Sequence, residues 1–234
     1  KLSAIGVLML TRPAQAIGAA EQATPSNAAV DAGANPYRKL QALDAQLLRV
    51  AYRLTTANVP FCNVVQGHVG IALHTAPQYP PKGRAVFGFA QPVQVLAIAP
   101  GSPAAQSDVQ LDDGIIGIDG AMMAGALGDP KRRGGEQYSS VVDLMQRRID
   151  IAFVEDRPAF WHMWRGGQML TVPLTPVASC RARWQIMAGN ADHAGSDGLT
   201  VTISVDIANM AMEAGGDDGL AAVAAHELAH IMLE

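Results

Sequence analysis

Aromatic residues are scarce in this 234-residue chain, at 5%, and charged residues make up only 16%. Neither scarcity prevents a core: 49% of the chain is hydrophobic, and the length suits one large domain or two small ones. Basic charge is also limited. The 17 Lys and Arg face 21 Asp and Glu, a formal net charge of −4, which leaves no electrostatic footprint for nucleic acid. The one basic cluster, Lys131-Arg132-Arg133, adjoins Gly134-Gly135 and reads as a solvated loop. No apolar run reaches the roughly 18 residues needed to cross a bilayer, so no integral membrane segment is expected. Cysteine is limited to Cys62 and Cys180. That excludes a disulfide-dense mini-fold and a Cys-type zinc module, but it leaves room for a single bridge.

What is present begins with an export-like start. Lys1, the apolar stretch Leu2 to Leu10, and Ala14-Gln15-Ala16 have the order of a basic region, a short apolar core and a small-x-small cleavage site. Residues 1–16 are therefore expected to be a signal peptide, which implies a periplasmic or secreted bacterial protein. Residues 17–35 hold Ala, Gly, Ser, Thr, Asn and acids without an aromatic, and read as a disordered linker.

Asn35-Pro36 is a helix start, with Asn as the cap and Pro where its missing N–H costs nothing. Leu40, Leu43, Leu47, Val50 and Leu54 recur at spacings of three and four and form one apolar stripe, which ends near Ala57-Asn58. From Val65 to Pro176 the pattern changes to short apolar runs punctuated by Gly and Pro. Val93–Ile98, Ile115–Ile118, Phe160–Trp164 and Met169–Leu174 read as strands, the last two joined by the hairpin turn Arg165-Gly166-Gly167-Gln168. Tyr138–Ile149 has helical spacing.

Val95-Leu96-Ala97-Ile98-Ala99-Pro100-Gly101-Ser102-Pro103 followed by Leu111-Asp112-Asp113-Gly114-Ile115-Ile116-Gly117-Ile118-Asp119-Gly120 resembles the strand, turn and strand signature of bacterial PDZ domains. Asp108 and Asp112 stand where that pattern usually has Gly. The resemblance implies a β-rich PDZ-like domain over residues 65–177 that binds extended peptides or C-terminal tails by strand addition. Phe87-Gly88-Phe89 resembles its apolar-Gly-apolar binding loop, with the helix from Tyr138 as the other wall of the groove.

The chemistry is concentrated near the C-terminus, in the helical run Leu220 to Ile231, which Asp217 or Asp218 is placed to cap. Within it lies His226-Glu227-x-x-His230. Residues four apart stack on one helix face, so both imidazoles reach a single Zn2+, while Glu227 is offset and positioned to act as general base toward a water polarised by that ion. Before it, Leu199 to Ile207 alternates apolar and polar residues. It reads as a half-buried strand, and as a candidate edge strand for pairing with substrate.

The order of strand, Gly/Asp-rich loop and "AAVAAHELAH" resembles the HtpX/CAAX-prenyl-protease-like zinc peptidases, family forty-eight of the metallopeptidases. Asn190-Ala191 resembles the family's dipeptide before the strand. This resemblance implies metal ligands at His226 and His230, a catalytic base at Glu227, and a third ligand from a Glu well downstream. Glu234, two turns past His226, is badly placed for that role, and the metal site is therefore expected to be incomplete in this chain. The expected fold class is α+β, with the PDZ-like domain inserted into the N-terminal part of a mainly helical zincin-type peptidase domain. Residues 36–62 give that domain its first helix and residues 178–234 its HExxH segment. Such an insertion brings its two ends together, so Cys62 and Cys180, which flank it, are a candidate disulfide pair in an oxidising compartment. The expected function is zinc-dependent endopeptidase activity on polypeptides, with the PDZ-like module presenting substrate. The alternative is a peptide-binding protein with an inactive metallopeptidase site.

Overall fold

A computed structural model describes residues 35–129, 131–188 and 193–233. The signal-peptide and linker expectations, Asn190-Ala191 and Glu234 lie outside these residues, apart from Asn35 at the end of the linker range. The chain is α+β, and its sheets are antiparallel except for one strand pair.

Helix α1 spans Pro36–Ala57. The side chain of Asn35 accepts the Tyr37 N–H at 3.0 Å, and Pro36 occupies the first turn. The helix packs on two sides. Leu47 and Val50 join Val201, Ile203, Leu220 and Ala224 in one core, while Leu48 and Tyr52 press on Ala97 and Ala99. It thus links two units of the fold.

The larger unit is a six-stranded antiparallel sheet. Its strands are β2 (Ile71–Thr75), β3 (Val93–Ile98), β4 (Gly114–Ile118), β5 (Ala121–Met122), β6 (Ala159–Arg165) and β7 (Gln168–Leu174). They run in the order β2-β3-β4-β6-β7, with β5 paired to β4, so β2 and β7 are edges. Helix α4 (Gly134–Val154) covers one face. Its Val141, Met145, Ile149 and Ala152 meet Leu73, Val95, Ile115, Ile118, Trp161 and Met163 in the main core. Two short helices, α2 (Pro81–Phe87) and α3 (Met123–Leu127), fill the connections. Gly166 and Gly167 both have positive φ (57° and 87°), the backbone that a tight hairpin between β6 and β7 requires.

Strands β1 (Val65–His68) and β8 (Val177–Cys180) form a separate antiparallel pair in which Val65 faces Cys180. This pairing joins the start and finish of the larger unit. The disulfide Cys62–Cys180 lies beside it, with Cα atoms 5.4 Å apart.

The smaller unit consists of β9 (Arg183–Met187), β10 (Ala194–Ser196), β11 (Thr200–Ser204) and α5 (Val205–Leu233). The strand order is β10-β11-β9, with β11 parallel to β9 and antiparallel to β10. Two expectations fail here. The alternating segment is the central strand rather than an edge, and it stops at Ser204 rather than Ile207. Ser204 Oγ accepts the Ile207 N–H at 3.2 Å, a side-chain cap that starts α5 and outweighs the β propensity of Val205 and Ile207. Helix α5 breaks at Gly215 and Gly216, the latter with φ 58°. Asp217, just past the break, ion-pairs with Arg49 of α1.

Candidate functional site

The second half of α5 is fixed by a stripe of Leu220, Ala224 and Leu228, all at or below 2% exposure. The first two pack on α1 and β11, and Leu228 packs beside Cys180 and Ala182. With that stripe turned inward, His226 and His230 project from the helix on an exposed side. Their Nε2 atoms are 3.3 Å apart and their ring planes lie at 83°. Glu227, seven residues past Leu220, follows the inward stripe and is only 7% exposed.

These positions fit a metal. Zinc with imidazole nitrogens at about 2.0–2.1 Å and tetrahedral angles needs ligand nitrogens about 3.3–3.4 Å apart, the separation found here. Among the described residues no group of three His, Cys, Asp or Glu surrounds such a position. Three of the other histidines have partners elsewhere. His162 Nδ1 lies 3.1 Å from Thr171 Oγ1 across β6 and β7. His68 Nδ1 accepts the Gly70 N–H at 2.8 Å, and burial lowers its pKa to about 4. His74 is 1% exposed with Nδ1 3.2 Å from the Tyr79 hydroxyl. Its pKa is lowered to about 3, first by burial and then by the Arg38 charge.

Phe87-Gly88-Phe89, expected as the peptide-binding loop, is a helix end and does not lead directly into a strand. Phe87 is the last residue of α2 and is 4% exposed, and Gly88 is its left-handed cap with φ 60°. The rings of Phe87 and Phe89 cluster with His74 and Tyr79, and Arg38 lies 4.8 Å above the Phe87 ring. Phe87 is buried and Phe89 half-buried, and the strand that follows them, β3, is internal to the sheet. The apolar-Gly-apolar segment that does lead into an edge strand is Val69-Gly70-Ile71, whose Ile71 opens β2. Gly70 has φ 79°, and a Cβ there would overlap the Ser102 side chain. The Val69 carbonyl accepts from Ala104 and the Gly70 carbonyl from Ala99. The signal was present in the sequence as Val-Gly-Ile before Ala-Leu-His-Thr.

A cavity of about 460 Å³ lies beside β2, an edge strand of the six-stranded sheet. Ala72, Leu73 and His74 of β2 form one wall, and Tyr138 and Ser139 of α4 another. Leu40, Asp44 and Leu47 of α1 and Trp184 and Ile186 of β9 close it. Arg183 of β9 pairs with Asp143 of α4 and ties the two units together. Asp44 is the one acidic lining residue. Burial raises its pKa to about 7, partly offset by the Ile186 amide. Tyr138 is pushed up to about 12, first by burial and then by the Asp44 charge. Sequence reading missed Asp44, which lies next to Leu43 in a helix read for its apolar stripe alone.

No protein-family model and no curated protein matches the chain. Among solved structures, the HtrA3 PDZ domain bound to a phage-derived ligand is similar over 49% of this chain and 88% of its own, at 17% identity and a TM-score of 0.32. The HtrA-type protease AlgW with a decapeptide is similar over 48% of this chain, at 16% identity and a TM-score of 0.32. This chain spans 29% of AlgW.

Proposed function

We propose that this chain belongs to an exported zinc-dependent endopeptidase, with a PDZ-type module that takes up extended polypeptide. The observation that carries the peptidase reading is the 3.3 Å separation of the His226 and His230 Nε2 atoms on a helix whose following residue, Glu227, is a buried carboxylate. Zinc held by the two imidazoles, with a third ligand from outside the described residues, would polarise a water and the scissile carbonyl. Glu227 would take the proton from that water at a carboxylate oxygen and pass it to the leaving amine. The buried stripe at Leu220, Ala224 and Leu228 holds both imidazoles on one side, which preorganises the pair.

The module reading is supported by β2, an edge strand with a groove between it and α4. An added peptide strand would complete the backbone hydrogen bonds of that edge, and alternate side chains would enter the cavity. The decisive experiment is Glu227→Gln. Zinc content by elemental analysis should stay unchanged while hydrolysis of a denatured protein substrate falls at least a hundredfold, because the base is not a ligand. Undiminished hydrolysis would remove Glu227 from the mechanism. A parent protein that binds peptides but hydrolyses none with zinc supplied would favour the second reading, a peptide-binding protein with an inactive site.

A further inference from the structure

We infer that the cavity along β2 is a specificity pocket for a cationic side chain, Lys or Arg, at an internal position of the bound peptide, with Asp44 as its counter-ion. The inference rests on the reading of β2 as the peptide-accepting edge and adds the chemistry of what that edge selects.

Three observations carry it. First, Asp44 lines the cavity and has no ion-pair partner among the described residues. A carboxylate removed from water without a cation is costly, and a ligand cation supplies what is missing. Arg38 and Arg183, the cations whose charge reaches the lining residues Tyr79 and Tyr138, are already committed, Arg183 to Asp143. Arg38 donates to Gln41 Oε1 at 2.8 Å and to the Val86 carbonyl at 3.1 Å, and stands 3.6 Å from Asp112. His74 is buried and neutral, so it does not serve either.

Second, the remaining walls suit a long stem carrying a cation. Leu47 and Leu73 offer apolar contact to methylenes, while Tyr79, Tyr138 and Trp184 line the same space with aromatic rings that attract a cation. An anionic side chain would meet Asp44 in low dielectric, and an apolar one would leave it desolvated and unpaired. Both are selected against.

Third, the cavity is at the right place along the strand. It meets α4 at Gly135, Tyr138 and Ser139, near the start of that helix. The turn before β2 is at the opposite end, since Gly67 is bonded by Gln146 and Asp150. The pocket therefore addresses a residue inside the peptide and not one held at the Val69-Gly70-Ile71 turn.

The test uses the full chain carrying Glu227→Gln, so that bound peptide is not consumed. Fluorescence anisotropy is measured on free-carboxylate peptides in which Lys is scanned through internal positions, each paired with its norleucine counterpart. One position should show Lys favoured about tenfold or more, and Asp44→Asn should abolish that preference. Equal binding of Lys and norleucine at every position overturns the pocket and leaves the groove reading intact. A preference of the same size at all positions is long-range attraction to the negative chain, and also overturns it. A preference that survives Asp44→Asn overturns the role of Asp44. If no peptide binds, the groove reading falls and the pocket with it. The Lys-to-norleucine comparison needs no change at Asp44, so it stands even if that variant folds poorly.

Discussion

Cys62 and Cys180, 118 residues apart in the chain, are bridged with their Cα atoms 5.4 Å apart. The bridge sits where the larger unit leaves and rejoins the smaller one, next to the β1–β8 pair. Leu228 and Ile231 of α5 pack against the same place, so the helix carrying His226 and His230 rests on the covalent staple.

Replacing both cysteines by Ala should therefore lower stability substantially. In the chain-entropy description, closing a loop of this length is worth about 5 kcal/mol, and the β1–β8 ladder retains part of that closure without the bond. The expected loss is about 3–5 kcal/mol in urea unfolding. A loss below about 1 kcal/mol would mean that the strand pair alone closes the unit. Because α5 rests on the bridge, zinc affinity should fall in the same variant.

A second prediction concerns Asp113 and Arg165. Asp113 is 2% exposed, and its carboxylate takes both arms of the guanidinium, Oδ1 from Nε at 2.6 Å and Oδ2 from a terminal nitrogen at 2.7 Å. It also accepts the Gln110 N–H at 2.8 Å. The pair ties the turn before β4 to the end of β6. Asp113→Ala removes three hydrogen bonds and leaves part of a charge desolvated, a loss of about 2–4 kcal/mol. Arg165→Lys keeps the charge but not the planar fork, so about half the loss is expected. Equal unfolding midpoints for parent and Asp113→Ala would show that the pair contributes nothing net.

Much of this was legible where local chemistry decides the backbone. Asn35-Pro36 started a helix because the cap is a contact between neighbours, and Arg165-Gly166-Gly167-Gln168 made a hairpin because only glycines accept those angles cheaply. Asp112, noted as standing where the resembling pattern has Gly, does have a left-handed φ of 65°, so the departure in sequence is a departure in strain and not in shape. The two histidines shared a face because helix geometry fixes i and i+4. The cavity along β2 was not legible. Its walls come from α1, β2, α4 and β9, segments that only tertiary packing brings together. Phe87-Gly88-Phe89 misled because apolar-Gly-apolar also describes a buried helix end with a glycine cap. Asp44 escaped notice because a lone acid on a helix ordinarily faces water, and α1 has little open surface, being packed on two sides.

Asp44 also gives the fold a measurable dependence on pH. Its folded pKa of about 7 lies above the unfolded value of 3.8, so between these values the folded state keeps a proton that the unfolded state has released. Stability contributed by the protonated carboxyl is therefore full below about pH 4, declines as pH rises toward 7, and is absent above it. His68 and His74 act in the opposite direction. Their folded values, about 4 and about 3, lie below the ordinary 6.5, so their contribution is full above pH 6.5 and falls as the solution is acidified. The two trends overlap between pH 4 and 6.5, so the parent profile alone does not separate them. The difference between the parent and Asp44→Asn does, since both histidines are common to the two proteins. Relative to Asp44→Asn, the parent should lose on the order of 2 kcal/mol of stability on going from pH 4 to pH 7.5, a figure discounted for a carboxylate that is half-buried. Urea unfolding at pH steps across that range measures it. A flat difference curve would mean that Asp44 titrates in the cavity as it does in water, and that the cavity leaves it fully hydrated.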